Sequence, residues 1–248
     1  MRAAWPIALG AVALGACAGS FTVTAALRSI RSEQSLTGRS HCDGCGAPLG
    51  FLQTVPVLSF AGLGGACAAC GARIDAVHLA GEVIGGLVAL VAVEAVAAPT
   101  SVILAALGLV LLASAVVDAK TQHLPDGLTV TAGALCAARV ALEGGPSLAL
   151  GVAIAAATFG VLEIARRAFM ALRRRPGLGL GDVKLITALS IWLGTATPWA
   201  VLGASAAGLA WLAVWRPKDG KIAFGPMIAG AAWIIGLGRE AHWWLSPN

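Results

Sequence analysis

Charge is scarce in this sequence. Only 12% of its 248 residues are Asp, Glu, Lys or Arg, 58% are hydrophobic, and the mean hydropathy is +0.85. A soluble globular domain carries roughly twice that share of charge, so a water-soluble fold is excluded. Any Ser-His-Asp or Cys-His constellation is also missing. The four histidines, His41, His78, His123 and His242, lie far from any plausible nucleophile motif. There is no convincing internal repeat and no low-complexity tail. The N-terminal stretch offers Arg2 and then an apolar run, with no clear cleavage site after it. It is therefore expected to be a first span rather than a removed signal.

What is abundant is apolar sequence. Several runs approach or exceed the ~20 residues that cross a bilayer. They predict an all-α polytopic membrane protein with about eight transmembrane helices, near 4–27, 77–97, 100–118, 126–142, 147–168, 182–195, 197–215 and 222–245. The sixth is too short to cross alone, which predicts a tilted, broken or joined helix. Under this count the connections 28–76, 119–125, 166–184 and 216–221 share one side and hold 14 of the 17 Lys and Arg residues. Basic connections stay in the cytoplasm, so this side is assigned as cytoplasmic and both termini as external. The net charge of +5 therefore reports topology and predicts no nucleic-acid partner. The basic stretch at 166–177, RRAFMALRRRPG, reads as an orientation anchor meeting anionic membrane lipids. Trp192, Trp199, Trp211, Trp215, Trp233, Trp243 and Trp244 fall mostly near proposed helix ends, as an interfacial belt would.

Two acids stand out against this apolar background. Asp182 lies in GLGLGDVK, residues 177–184, just after a glycine-rich turn and just before an apolar run. Asp118 ends another apolar run, in VVDAKTQHLPD. Acids at membrane depth are costly and mark functional sites by default. Brought together, two carboxyls resemble an aspartic-protease dyad, where one holds a proton while the other activates water. The glycines would let an extended peptide approach. The octet alone fits a helix N-cap Asp equally well. A partner at Asp118 turns the reading towards catalysis.

The one sizeable polar segment carries four of the six cysteines, as Cys42-x2-Cys45-x21-Cys67-x2-Cys70. Two CxxC knuckles supply the four thiolates of a tetrahedral structural zinc site, and Gly46 and Gly71 follow them as tight metal-binding turns prefer. Disulfides would not persist in the cytoplasm, and a loop this small needs a staple to fold. Four thiolates leave no open position, so such a zinc would be structural. His41 is a spare ligand that the site does not need. Cys17 and Cys136, in apolar runs, are expected to be packing residues.

Taken together, these motifs resemble the type IV prepilin leader peptidases, bifunctional membrane aspartic proteases. The resemblance rests on Gly19-Ser20-Phe21 with Arg28, the 39–82 segment with both CxxC pairs and Pro56, Asp118 followed by Leu124-Pro125-Asp126, and Gly179-Leu180-Gly181-Asp182-Val183-Lys184. It implies that Asp118 and Asp182 are the catalytic aspartates and that Asp126 is a non-catalytic acid. It also implies that Cys42, Cys45, Cys67 and Cys70 belong to a zinc-bearing N-terminal part. The implied activity is removal of a basic leader from prepilin-like or pseudopilin substrates at the cytoplasmic face of the inner membrane, followed by N-methylation with S-adenosylmethionine. Residues 1–98 would form a methyltransferase-like part, with its four-cysteine loop at 28–76, and residues 99–248 a six-span peptidase core.

Two departures concern the methylation half. Val23 stands where relatives commonly carry asparagine, and His78-Leu79 replaces a Tyr-Pro pair ahead of Glu82. No glycine-rich nucleotide-binding signature of a soluble methyltransferase is present, and the expectation is weak, altered or absent methyl transfer. The rival reading from another class is a transporter with functional intramembrane acids. A zinc-knuckle docking scaffold is a third, and it leaves Asp118 and Asp182 without a role.

Overall fold

In the computed structural model, residues 4–31, 38–174, 177–215 and 222–241 are described. They form helices and short turns, with isolated β-bridges in the cysteine segment. The chain divides into two compact units, 1–94 and 95–248.

The first unit contains α1 (Trp5–Ile30), a 3-10 turn at Phe51–Thr54, α2 (Leu58–Gly62) and α3 (Ala76–Ala95). Helices α1 and α3 meet through glycines spaced four residues apart, Gly15 and Gly19 against Gly81 and Gly85. A Cβ on any of these would strike the opposing helix, mostly its backbone. Hydrocarbon chains offer no hydrophobic drive between helices, so close backbone approach through small residues supplies the packing. Cys17 lies on the exposed surface of α1 rather than in a packed interior, whereas Cys136 is fully buried.

The second unit contains α4 (Thr100–Thr121), α5 (Asp126–Ala141), α6 (Gly145–Arg173), α7 (Leu180–Leu193), α8 (Thr197–Trp215) and α9 (Gly225–Glu240). Helix α7 is central and packs on α5, α6, α8 and α9, while α4 packs on α5 and α9. Its residues Val183, Leu185, Leu189 and Leu193 are buried.

Among the described residues, eight long helices match the eight apolar runs of the sequence one for one. Five stretches are long and apolar enough to cross a membrane: α1, α3, α4, α6 and the 36-residue stretch Leu180–Trp215 that joins α7 to α8. The expected count of eight separate crossings is not confirmed among the described residues. Helices α5, α7 and α9 have only 16, 14 and 16 residues. The joint between α7 and α8 is a 3-10 turn, Gly194–Ala196, entered through Gly194 at φ +55°.

A polar cluster fastens the end of this unit where α5, α7 and α9 finish. Arg139 of α5 pairs with Glu240 of α9, and the other oxygen of Glu240 accepts a 2.7 Å hydrogen bond from the Trp192 indole of α7. Arg239 donates to the Trp192 and Leu193 carbonyls, both at 2.7 Å, capping α7. Trp192 is thus buried, 4% exposed and tilted at 48° against Trp233, not in an interfacial belt. Trp199, Trp211 and Trp215 are exposed as a belt requires. Arg2, His242, Trp243, Trp244 and the 216–221 connection lie outside the described residues, as do Arg175 and Pro176 of the 166–177 basic stretch.

Candidate functional site

At the opposite end of the second unit, the start of α7 meets the end of α4. Asp118 occupies the last turn of α4 and is 6% exposed. Its Oδ2 accepts a 2.7 Å hydrogen bond from the backbone N–H of Gly225, the first residue of α9. Asp182 is the third residue of α7, and its carboxylate folds back towards Gly179, the residue that caps the helix. The two carboxyl groups are close enough to interact electrostatically.

Each carboxylate therefore packs against a glycine, and each glycine is required for space. A Cβ on Gly225 would lie 2.8 Å from Asp118 Oδ2, and a Cβ on Gly179 would lie 2.9 Å from Asp182 Oδ2. Neither glycine has a positive φ, so close approach and not backbone freedom explains them. Gly181 is similarly tight against Leu124, 3.0 Å from its Cβ. This contact ties the glycine turn to the segment after Asp118.

Asp126 stands apart from the pair. Its Oδ1 forms a 2.7 Å bridge to Lys184 Nζ, and its side chain is 70% exposed. This bridge joins the starts of α5 and α7, and Gly225 puts the start of α9 beside Asp118. The starts of α7 and α9 thus lie at the two acids, and their dipoles favour negative charge there. A water between the carboxyls could be activated by one and a leaving nitrogen protonated by the other.

Sequence reasoning placed Asp118 and Asp182 but missed Gly225. Its signal was a Gly-Pro pair opening an apolar run, the local pattern of a helix start.

In the first unit, Cys42, Cys45, Cys67 and Cys70 bring their sulfurs within 4.8 Å of one another. Cys42 and Cys70 are 3.9 Å apart, close to the edge of a tetrahedron with metal–sulfur bonds of about 2.3 Å. The two knuckles are built alike. The Cys42 N–H donates to the Ala47 carbonyl at 2.9 Å, and the Cys67 N–H to the Ala72 carbonyl at 2.8 Å. Gly46 and Gly71 close the turns at φ +71° and +72°, where a side chain would be strained. Backbone N–H groups of Cys70 and Ala69 draw the Cys67 thiol down to about 6. At Cys70 the Ala72 N–H pulls the same way, but the neighbouring Cys45 sulfur and burial outweigh it and push the thiol up to about 11. Four crowded thiols cannot all ionise without a cation among them, and the donor set fits one. His41 is not part of the cluster. Arg31 holds the first knuckle through a bidentate pair with Asp43, at 2.9 and 3.0 Å. This guanidinium keeps the Asp43 carboxyl below its ordinary value.

Comparison with known proteins gives consistent matches. Residues 13–96 match the bacterial peptidase A24 N-terminal domain, and residues 104–213 match the type IV leader peptidase family. A prepilin leader peptidase/N-methyltransferase of Burkholderia pseudomallei is 38% identical over 214 residues, covering 79% of this chain and 67% of that protein. Proteins of the same name from Neisseria gonorrhoeae and Aeromonas hydrophila are 33% and 36% identical, each covering 84% of this chain and 75% of the relative. No solved structure matches the chain.

Proposed function

The chain belongs to the type IV leader peptidase family, and on that premise we propose that Asp118 and Asp182 are its catalytic pair. The protein is a multi-pass membrane peptidase that processes prepilin-like substrates, the activity its relatives are named for. What carries the site assignment is that two acids from separate motifs share one end of the second unit, each packed against a glycine.

The mechanism follows from two neighbouring carboxyls sharing one proton. The ionised member takes a proton from water as that water attacks the scissile carbonyl, and the protonated member donates to the leaving amide nitrogen. The two then exchange roles. The fixed N–H donor of Gly225 holds the Asp118 carboxyl in place between the steps, so little reorganisation is needed there as charge moves. Asp126, bridged to Lys184, aligns α5 with α7 and takes no part in proton transfer.

The four cysteines would hold zinc as a structural ion that folds the segment between α1 and α3. The bias of Lys and Arg to one side supports a cytoplasmic site. Residues 1–98, which hold the N-terminal domain match, are the methyltransferase-like part of this reading. When bound, S-adenosylmethionine would supply an electrophilic methyl group for the new N-terminal amine. The transporter reading finds no support among the comparisons.

Coexpression with a prepilin tests the reading. Mass spectrometry is expected to show loss of the leader with wild-type protein and an intact leader with Asp118→Asn or Asp182→Asn. Leader loss with the double variant would refute it.

A further inference from the structure

The first unit holds a cavity of about 350 Å³, open to one side, whose lining includes Ser20, Arg28, Phe60, Arg73, His78 and Glu82. This volume is at the lower end of the range for small-molecule sites. Its most unusual wall is Glu82. The side chain sits on α3 within a proposed span and the residue is only 9% exposed. Oε1 accepts from the Ser20 hydroxyl at 3.0 Å, and Oε2 from the Val57 N–H at 2.7 Å. Among the described residues it forms no ion pair. Val57 holds φ +62°, a conformation costly for a β-branched residue, and in that conformation its N–H meets this carboxylate. Burying a carboxylate that forms no ion pair is costly, and a ligand cation beside it would offset that cost.

We propose that this cavity binds the methyl donor, with Glu82 facing the donor's sulfonium. The inference rests on the methyl-transfer part of the function proposed above. A donor built from a nucleoside and an amino acid presents a cation, a carboxylate and an aromatic base. The cavity answers with the carboxylate of Glu82, the guanidinium group of Arg73 and the ring of Phe60. Transfer forms the N–C bond and breaks the S–C bond, leaving a neutral thioether, while the amine's proton passes to solvent. A carboxylate facing the sulfur therefore holds the donor more tightly than the spent product, which favours product release. The substituted positions Val23 and His78-Leu79 leave this carboxylate and its two donors intact.

The test is calorimetric titration of the full chain in lipid nanodiscs with S-adenosylmethionine and with S-adenosylhomocysteine. The wild type is expected to prefer the sulfonium form by about tenfold or more, and Glu82→Gln to cut that preference to about threefold or less. Ultraviolet cross-linking of labelled donor to the wild type, followed by peptide mapping, needs no variant and is expected to label residues 20–82. Equal affinity of the wild type for both ligands, an unchanged ratio in Glu82→Gln, or a label confined to residues 95–248 overturns the site. Methylation of a coexpressed prepilin is read in parallel. Protein that methylates with an unchanged ratio contradicts the site alone. Protein that cleaves but neither methylates nor binds the donor contradicts methyl transfer itself, and the inference falls with it.

Discussion

The backbone N–H of Gly225 donates a 2.7 Å hydrogen bond to Oδ2 of Asp118, across 107 positions of sequence. This contact fixes the start of α9 against the end of α4. It depends on the absence of a side chain, because a Cβ there would fall 2.8 to 3.0 Å from three atoms of the aspartate. Gly225→Ala must displace either the carboxylate or the helix. Forced overpacking of this kind costs about 1–3 kcal/mol, so cleavage is expected to fall roughly tenfold or more. Gly230→Ala, in the same helix with open space around it, is the control and is expected to cleave at the wild-type rate. Equal activity of the two variants would show that the contact is unimportant.

The Asp126–Lys184 bridge predicts the reverse. Its side chains are 70% and 37% exposed, and exposed pairs contribute only about 0–1 kcal/mol. Asp126→Asn and Lys184→Met are each expected to keep cleavage within about fivefold of wild type. A dead Asp126→Asn beside an active Asp118→Asn would mean that the wrong acid of the first motif has been chosen.

Zinc content tests the cysteine cluster. Purified protein is expected to hold about one zinc per chain. Cys42→Ser or Cys67→Ser should lose the metal and lower the yield of folded protein, because the ion supplies folding energy the small segment lacks. Active wild-type protein free of zinc would contradict this.

Residue spacing made a good part of the molecule legible. Cys42, Cys45, Cys67 and Cys70 announce themselves because a metal knuckle is local, and their sulfurs do converge. The long helices were visible as apolar runs, though α5, α7 and α9 fall short of a bilayer's width. Asp118 and Asp182 were visible because acids are rare in such runs. The contacts that set them were not, since a glycine donating its N–H leaves no mark beyond a Gly-Pro pair. Trp192 was misplaced for a related reason. A tryptophan at a helix end reads as interfacial unless its partner is known, and Glu240 is 48 positions away. The buried Glu82 with its donors Ser20 and Val57 is likewise a tertiary product, 62 and 25 positions apart.

The buried cluster at the far end of the second unit should matter to stability more than to chemistry. Removing one partner of a buried ion pair costs about 3–5 kcal/mol, because the other charge is left without compensation. Glu240→Gln leaves Arg139 only the half-exposed Glu143, 3.0 Å away, so the loss is smaller than that of a fully stranded charge but is still expected to lower the unfolding temperature. The activity of the fraction that remains folded should change little. Unaltered thermal stability would show that the cluster does not fasten α5, α7 and α9.

The central claim is that Asp118 and Asp182 act as one catalytic unit, and the most direct test is the mass of a coexpressed prepilin. Wild-type protein should remove the leader. Asp118→Asn, Asp182→Asn and the double variant, each confirmed to be present in the membrane at wild-type level, should leave it intact. Because residues acting together are strongly non-additive, all three should lose roughly 10³-fold or more, and the double variant should be no worse than either single one. Continued cleavage by Asp182→Asn would contradict the account.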